Sequence, residues 1–423
     1  MAAVAQKWSS ARARDAAVAI VQALRDAGHT AYFAGGCVRD ELLGLEPTDY
    51  DVATDATPDQ IRSLFRRTAA VGASFGVVLV KERGVTVEVA TFRSDGPYSD
   101  RRRPDHVEFS DAAHDARRRD FTINALFLDP LAPADDSGER GRAIDFVGGL
   151  ADLGARLIRA VGDPDQRLAE DHLRALRAVR FAARYGFAIE PATGAAIRRH
   201  ASELAGVSRE RIGDEIRRML ASPRRSAAVE LLEGLGLDRV VLGGGGRRGT
   251  GRALSRLGAA SFGAALACWA LDRAELESAA QAPALVSRWR RALCLSNEES
   301  SALRDTLHGV LELERGWEGL RIAAKKRRAA SPWFADALAV AAARDPERAA
   351  AVSAEVSRLA TDGSGLAPPP LIDGNDLLAS GVEPGPVFAR VLAAVYDAQL
   401  EGGVADRAAA LRMAAELCKS GGV

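Results

Sequence analysis

The spacing of hydrophobic positions near the start of the chain predicts helices alternating with short strands. Apolar positions of residues 11–27 follow the helical repeat, and Thr57 followed by Pro58 predicts the start of a second helix, which would run to Phe65. In the last of four strand-like runs, three valines alternate with polar or small residues, which predicts a strand with one buried face. These runs cover residues 31–34, 49–54, 75–81 and 85–92.

The pattern changes after Gly149. Strand-type alternation nearly disappears, and Ala, Leu, Arg and Glu recur with helical spacing to the end of the chain. Two segments rich in glycine or proline, 243–249 and 363–370, interrupt these helices and predict flexible breaks. The sequence therefore predicts an α+β fold, in which a mixed first part precedes a series of helical modules.

The amino-acid composition is that of a globular protein and does not indicate a particular function. The 423 residues are 47% hydrophobic and 27% charged, an ordinary globular composition, and 57 Lys and Arg balance 57 Asp and Glu. Global charge therefore gives no reason to expect a nucleic-acid partner, although six arginines within residues 101–119 form a local cluster suited to RNA phosphates. No apolar run reaches about 18 residues and the first residues lack a signal peptide's apolar region, so we expect a cytoplasmic protein with no membrane partner.

The cysteines and histidines carry no recognisable site. Cys37, Cys268, Cys294 and Cys418 lie too far apart for a CxxC pair and are expected to be free thiols. The six histidines form no His-Asp pair with downstream partners, so they are expected to be surface or packing residues.

Two acids in one strand-like run are the first candidate for chemistry. Side chains at i and i+2 of a strand share a face, so Asp49 and Asp51 would project together while Tyr50 turns away. Magnesium prefers such oxygen ligands and completes its shell with substrate phosphates, and paired ions about 3.5 to 4 Å apart can hold both oxygens of a phosphoryl transfer. Taken alone, the pair is also typical of acids that simply face solvent.

The segment just upstream strengthens the case for a nucleotide. Gly35 and Gly36 follow an apolar strand and enter a helix predicted to continue to about Leu43. Glycines at this position let the backbone approach a phosphate, the N–H groups of a helix start point at an anion, and Arg39 would add a charge-assisted contact. A plain turn is the alternative. A glycine turn, a helix and then a strand with two acids together favour a triphosphate site with metal.

The motifs of this region, in this order, resemble those of the class II nucleotidyltransferases, the family of CCA-adding enzymes and bacterial poly(A) polymerases. Beyond the glycine turn and the acid pair, the chain contains Arg-Arg-Asp-Phe-Thr-Ile-Asn-Ala, then Glu-Asp-x-x-Arg leading into Arg-x-x-Arg-Phe, then Ser-Arg-Glu-Arg-Ile followed by a glutamate. These motifs occupy residues 35–40, 49–51, 118–125, 170–174, 177–181 and 208–215. From 371 to 417 the likeness is weaker.

This resemblance implies a fold and a division into domains. It implies a polymerase-β-like nucleotidyltransferase head, a small mixed sheet with helices, followed by an all-helical neck, body and tail. The neck would recognise the base and the tail would bind tRNA. The corresponding residues are 1–150 for the head, 151–220 for the neck, 221–360 for the body and 361–423 for the tail.

The resemblance also implies roles for individual residues. Asp49 and Asp51 would be the catalytic ligands of Mg²⁺, expected as two ions, with Glu88 either a third acid or a glutamate that faces solvent. Arg119 and Asp120 would address the triphosphate and the ribose. The residues implied to contact the nucleotide are Gly35, Gly36, Arg39, Arg119, Asp120, Asp171, Arg174, Arg177 and Arg180.

Hydrogen-bonding patterns support one of these roles independently. Asp171 and Arg174 lie three apart on a predicted helix and would share a face. A carboxylate accepts from the amino group that cytosine and adenine both carry, and a guanidinium donates to their ring acceptors, whereas uracil and guanine present the opposite pattern. The alternative is a surface ion pair. Arg177, Arg180 and Arg184 extend this polar stripe.

The expected activity is the addition of C, C and A to the 3′ end of tRNA from CTP and ATP, with release of pyrophosphate. Residues 92–104 resemble the family's flexible loop, whose presence argues against an enzyme restricted to CC. An A-adding enzyme, a poly(A) polymerase and, with less support, a catalytically dead RNA-binding module remain as alternatives. The sequence leaves the oligomeric state open.

Overall fold

The computed structural model describes most of the chain in two compact units. The described residues are 9–70, 76–96, 106–133, 141–244, 251–274, 276, 278–362, 365–379 and 386–419. Unit 1 consists of Met1–Glu215 and Leu231–Val241, and unit 2 consists of Ile216–Glu230 and Leu242–Val423. The predicted division into head, neck, body and tail stays a prediction.

The strands lie in the first half of the chain. They are β1 Ala31–Ala34, β2 Asp51–Thr54, β3 Thr68–Ala70, β4 Val77–Glu82, β5 Val85–Thr91, β6 Arg93–Asp95, β7 Val107–Phe109, β8 Phe127–Asp129, β9 Arg142–Ile144, β10 Leu157–Ile158 and β11 Ala188–Ile189. Seven of them form one sheet in the order β3-β4-β5-β2-β1-β8-β9, in which only β2 and β5 run parallel. The short pairs β6–β7 and β10–β11 lie outside that sheet.

Helices make up most of the other described residues. They are α1 Ser10–Asp26, α2 Gly36–Leu42, α3 Pro58–Leu64, α4 Ala112–Arg117, α5 Gly149–Gly154, α6 Pro164–Glu170, α7 Leu173–Tyr185, α8 Pro191–His200, α9 Arg209–Leu220, α10 Arg225–Gly234, α11 Asp238–Val241, α12 Arg252–Arg256, α13 Phe262–Asp272, α14 Ala282–Leu293, α15 Asn297–Arg315, α16 Ile322–Ala329, α17 Phe334–Arg344, α18 Pro346–Thr361, α19 Gly374–Ala379, α20 Pro386–Leu400 and α21 Arg407–Lys419. Short 3₁₀ helices cover Thr122–Asn124, Ala201–Gly206, Ala279–Gln281 and Trp317–Gly319. The mixed head and mostly helical remainder confirm the predicted fold class.

Burial alternates along β5 as the valines predict. Val85, Val87 and Val89 are buried, whereas Thr86 and Glu88 are exposed. The helix α1 packs on β1, β2 and β5 through a buried stripe at helical spacing, which removes apolar surface from water on one face of the sheet. The core on this face fixes the register of β5, because a slip by one residue would expose the valines.

Unit 2 has its own helical core. Trp269 on α13 and Trp289 on α14 are almost fully buried, with ring centroids 5.5 Å apart. No helix among the described residues combines the length and the apolar character needed to cross a membrane. The four cysteines are free thiols, as predicted.

Two details of the predicted helical part are wrong. The strands β10 and β11 interrupt the predicted neck with a short parallel pair. The helix predicted to carry both Asp171 and Arg174 is broken, since α6 ends at Glu170 and Asp171 has an extended backbone with φ −154°. The Asp171 side chain accepts a hydrogen bond from the backbone N–H of Leu173 at 3.1 Å, so it caps the start of α7 instead of continuing α6.

Candidate functional site

A polar cleft of about 760 Å³ in unit 1 brings the predicted site residues together. Its wall comes from the turn between β1 and α2, the start of β2, the segment that follows α4, and the helix α7. The cleft is lined by both acids of the predicted metal site and by every residue implied to contact the nucleotide, namely Gly35, Gly36, Arg39, Asp49, Asp51, Arg119, Asp120, Asp171, Arg174, Arg177 and Arg180. Glu88 is not among the lining residues. The roles expected of these residues stay predictions.

The two acids at the entry to β2 face the cleft side by side. The strand predicted over 49–54 begins only at Asp51 in the structure, so Asp49 lies just before β2. Tyr50 between them is buried and packs edge-on against Phe33 at 5.1 Å between ring centroids, whereas both acids are exposed. Tyr50 thus turns into the core, and the acids on either side of it line the cleft.

Charge around Asp51 favours a bound cation. Asp51 is paired in register with Glu88 on the parallel strand β5. Although Asp51 is accessible from the cleft, the cleft walls partly desolvate its carboxylate, and this desolvation, together with the charges of Glu88 and Asp49, raises the pKa of Asp51 to about 7, which Arg119 only partly opposes. Carboxylate oxygens with surplus negative charge are the donor set that suits a hard divalent ion. The residues present therefore fit a divalent metal.

The glycine turn lies against an arginine that is fixed in place. Gly35 has φ +75°, a conformation that favours glycine, and a side chain there would place Cβ 2.8 Å from Nη1 of Arg119. Asp115 accepts hydrogen bonds from Nε and Nη2 of Arg119 at 3.0 and 2.9 Å, and the carbonyl of Asn124 accepts from Nη1 at 3.1 Å. The backbone at Gly35 thus packs directly on a positioned guanidinium.

Arg39 lies in the cleft wall but is already engaged by protein. Its Nε and Nη2 contact Asp40 at 2.8 and 2.7 Å, its Nη1 donates to the side chain of Asn124, and its guanidinium stacks on Tyr185 at 4.6 Å. Only 4% of the residue is exposed. This arrangement favours a role in holding the cleft wall together, alongside the phosphate contact expected from the sequence.

Asp120 is a buried carboxylate with a defined set of partners. Its Oδ2 pairs with Arg177 at 2.6 Å, and its Oδ1 accepts from the side chain of Asn124 at 3.0 Å and from the backbone N–H of Phe121 at 2.8 Å. Burial opposes ionisation, but the charge of Arg177 and the hydrogen bond from Asn124 outweigh it and lower the pKa of Asp120 to about 2. Asp120 is therefore a charged acceptor at neutral pH.

Asp171 and Arg174 reach the same cleft although they do not share a helix. Arg211 holds the Asp171 carboxylate with two contacts of 2.6 and 3.2 Å. Arg174 donates from Nη1 to the carbonyl of Arg167 at 2.7 Å and to the carboxylate of Glu170. Neighbouring residues therefore hold in place both the Asp171 carboxylate and the Arg174 guanidinium, the two groups expected to recognise the base.

Two further arginines of α7 pack on one aromatic ring. Arg177 and Arg180 lie over the ring of Phe181 at 5.4 and 4.2 Å, and Nε of Arg180 donates to Glu215 at 2.6 Å. These contacts orient their guanidinium groups along the wall. Together, the nine arginines and six aspartates of the lining give the cleft a positive excess suited to a polyanionic ligand.

The structure adds lining residues that the sequence did not single out. Arg93, Asp95 and Asn124 line the cleft, as do Phe181 and Arg211. Asn124, Phe181 and Arg211 lie within the recognised motifs, and Arg93 and Asp95 lie in the segment 92–104 that resembles the family's flexible loop, so membership of these segments was the available signal. The larger part of the predicted flexible loop, 97–104, lies outside the described residues.

Comparison with known proteins agrees with these features. Residues 31–159 match the family described as "Poly A polymerase head domain", and residues 186–242 match "Probable RNA and SrmB- binding site of polymerase A". A CCA-adding enzyme of Limosilactobacillus fermentum is 34% identical over 95% of this chain and 96% of its own length. The chain belongs to the CCA-adding enzyme family.

Other members of the family resemble parts or all of the chain. A CCA-adding enzyme of Lacticaseibacillus paracasei is 45% identical over 51% of this chain, and the match spans 52% of that enzyme, about half its length. The crystal structure of the Bacillus stearothermophilus CCA-adding enzyme in complex with CTP has a TM-score of 0.75 and 28% identity, and it covers 96% of this chain and 98% of its own. The family assignment made from the sequence is therefore confirmed.

Proposed function

We propose that this protein is a cytoplasmic nucleotidyltransferase that adds C, C and A to the 3′ end of tRNA, from CTP and ATP, with release of pyrophosphate. The observation that carries this proposal is the cleft itself. It joins an acid pair suited to metal with an Asp/Arg pair suited to cytosine and adenine, in a chain that aligns along nearly its whole length with a CCA-adding enzyme.

The acid pair and the glycine turn would bind the reacting end of the nucleotide. Magnesium, as two ions held by Asp49 and Asp51, would stabilise charge on the phosphates and activate the attacking hydroxyl. Glu88 lies beside Asp51 and is proposed as a third acid. The fixed guanidinium of Arg119 and the backbone of Gly35 and Gly36 would position the triphosphate, so that the RNA 3′ oxygen bonds to the α-phosphorus as pyrophosphate leaves.

The ribose and the base would be read further along the cleft. The carboxylate of Asp120 has lone pairs beyond those used by its present partners, so it can accept a hydrogen bond from a ribose 2′-hydroxyl. Asp171 would accept from the amino group of cytosine or adenine, and Arg174 would donate to the ring nitrogen beside it. Arg211 would keep Asp171 oriented, while Arg177 and Arg180 complete the wall.

Selection against the other two bases follows from this arrangement. Uracil and guanine place a carbonyl opposite Asp171 and a ring N–H opposite Arg174, so acceptor meets acceptor and donor meets donor. Each unpaired buried polar group costs about 1 to 3 kcal/mol. Two such mismatches account for a strong preference for CTP and ATP.

A labelled incorporation assay tests the proposed function. The substrates are tRNA transcripts that end before the CCA, transcripts that already end in CC, and an RNA without a tRNA-like elbow, each with one of four labelled triphosphates. We expect C and A in order on the first transcript and A on the second. Long A tails on every RNA would instead indicate a poly(A) polymerase. Addition of A to the second transcript alone would indicate an A-adding enzyme. No incorporation on any RNA would indicate a catalytically dead RNA-binding module.

A pair of glycine variants tests the proposed phosphate contact. Gly35→Ala is expected to raise the KM for CTP by about 10-fold, equivalent to about 1.4 kcal/mol of binding, because its Cβ would lie 2.8 Å from Nη1 of Arg119 and would displace the guanidinium proposed to position the triphosphate. Gly36→Ala is the matched control, since a Cβ there has ordinary contact at 3.6 Å from Arg39. Steady-state kinetics with both variants give the comparison. Equal KM values would contradict a role for the Gly35 backbone.

A further inference from the structure

Two histidines and a glutamate meet in unit 1, apart from the acids of the cleft. His172 lies in the break between α6 and α7, His200 is the last residue of α8, and Glu203 follows in the 3₁₀ helix Ala201–Gly206. His172 is buried, while the side chains of His200 and Glu203 are 20% and 38% exposed. The fold brings these residues together from positions that no local sequence motif connects.

The donor atoms of the three side chains converge on a space the size of one ion. One donor atom from each lies within 4.8 Å of the other two. His172 Nε2 is 3.0 Å from Oε2 of Glu203, and His200 Nδ1 is 3.3 Å from Oε1. Ligands about 2.0–2.1 Å from a tetrahedral zinc ion are separated by similar distances.

The contacts of His200 are compatible with a metal ion at its Nδ1. Its other nitrogen, Nε2, lies 3.0 Å from the carboxylate of Asp165, so both ring nitrogens face carboxylates. A protonated imidazole would donate to both carboxylates, whereas a neutral imidazole that donates to Asp165 through Nε2 has the lone pair of Nδ1 available for a metal ion.

We propose that His172, His200 and Glu203 bind a divalent transition-metal ion of the zinc class. Two imidazoles and one carboxylate suit zinc and its neighbours better than magnesium, which prefers oxygen ligands alone. Asp165 supplies the outer carboxylate that metal-bound histidines usually contact through their second nitrogen. The partial exposure of Glu203 leaves a path for the ion and room for a water ligand.

Such an ion would lie outside the cleft but would help to fix the position of one of its lining residues. His172 is adjacent to Asp171, and both belong to the break that separates α6 from α7. Tying His172 to α8 fixes this break, and with it the position of the Asp171 carboxylate relative to Arg174. The ion would therefore have a structural role.

Zinc binding by the untagged full-length protein tests the proposal. The protein is treated with a chelator, incubated with Zn²⁺ and desalted, and bound zinc is measured by mass spectrometry; Co²⁺ absorption in the visible range reports the ligand geometry. We expect about one equivalent of zinc and a higher Tm with zinc. His200→Ala and Glu203→Gln, which change partly exposed side chains, should lose both effects, and Asp165→Asn should weaken binding by about 10- to 100-fold.

Two controls separate this site from other histidines and acids. His114→Ala removes an exposed histidine that contacts Asp111, so it should keep the full equivalent. The double variant Asp49→Ala/Asp51→Ala removes the acids of the cleft and should also keep it. The proposal would be overturned if His200→Ala and Glu203→Gln retained zinc, if only the double variant lost zinc, or if the wild-type protein bound no zinc.

Discussion

Replacing Asp51 with asparagine is expected to reduce nucleotide incorporation by about 1,000-fold or more, which corresponds to roughly 4 kcal/mol in the barrier. Asparagine keeps the shape of the side chain but removes a charge that Asp49 and Glu88 cannot replace at the same position. A hard divalent ion then loses a ligand, and the phosphates lose the charge that this ion would neutralise. Single-turnover incorporation of CTP into tRNA at saturating Mg²⁺ measures the effect.

We expect the loss of incorporation in Asp51→Asn to arise in the chemical step, with folding and tRNA binding unchanged. Asp55→Asn is a matched control, because Asp55 is an exposed acid just past the other end of β2, where it contacts His29. That variant should retain activity close to the wild type. Filter binding of tRNA should be unchanged in both variants. If Asp51→Asn incorporated CTP as fast as Asp55→Asn, the assignment of Asp51 as a metal ligand would fail.

The parts of the fold that the sequence predicted well depend on local interactions. The alternating valines of β5 place one face in the core, and this pattern can be recognised within seven residues. Thr57 and Pro58 begin α3 as predicted, with a capping box completed by Gln60. Such features need only neighbours in the chain, so a single sequence is sufficient to find them.

The parts that the sequence missed depend on partners distant in the chain. The buried pair of Asp120 with Arg177 joins residues 57 apart, and Arg211 reaches Asp171 from 40 residues away. Periodicity predicted one helix through Asp171, but it could not show that the carboxylate would cap α7 instead. Motifs thus identified which residues line the cleft, whereas the pairing among them required the structure.

Arg174→Ala is expected to weaken discrimination against UTP and GTP by about 10- to 100-fold while tRNA affinity stays within about threefold of the wild type. The guanidinium is the donor that finds no acceptor on uracil or guanine, so its removal eliminates one of the two mismatches. Correct nucleotides also lose a hydrogen bond, and kcat/KM for CTP should fall. The measured quantity is the ratio of kcat/KM for CTP to that for UTP, and likewise for ATP and GTP.

An effect of Arg174→Ala on base choice can be interpreted only if the variant folds and the surrounding cleft wall keeps its structure. Glu170 keeps a partner when Arg174 is removed, because Nη1 of Arg167 also contacts it at 2.9 Å, so no unpaired charge is left beside the cleft. Arg198→Ala, which changes an exposed arginine on α8 outside the cleft lining, serves as the control and should leave both ratios unchanged. Equal loss of activity with all four triphosphates would mean that Arg174 supports the cleft wall through Glu170 and the carbonyl of Arg167 without reading the base.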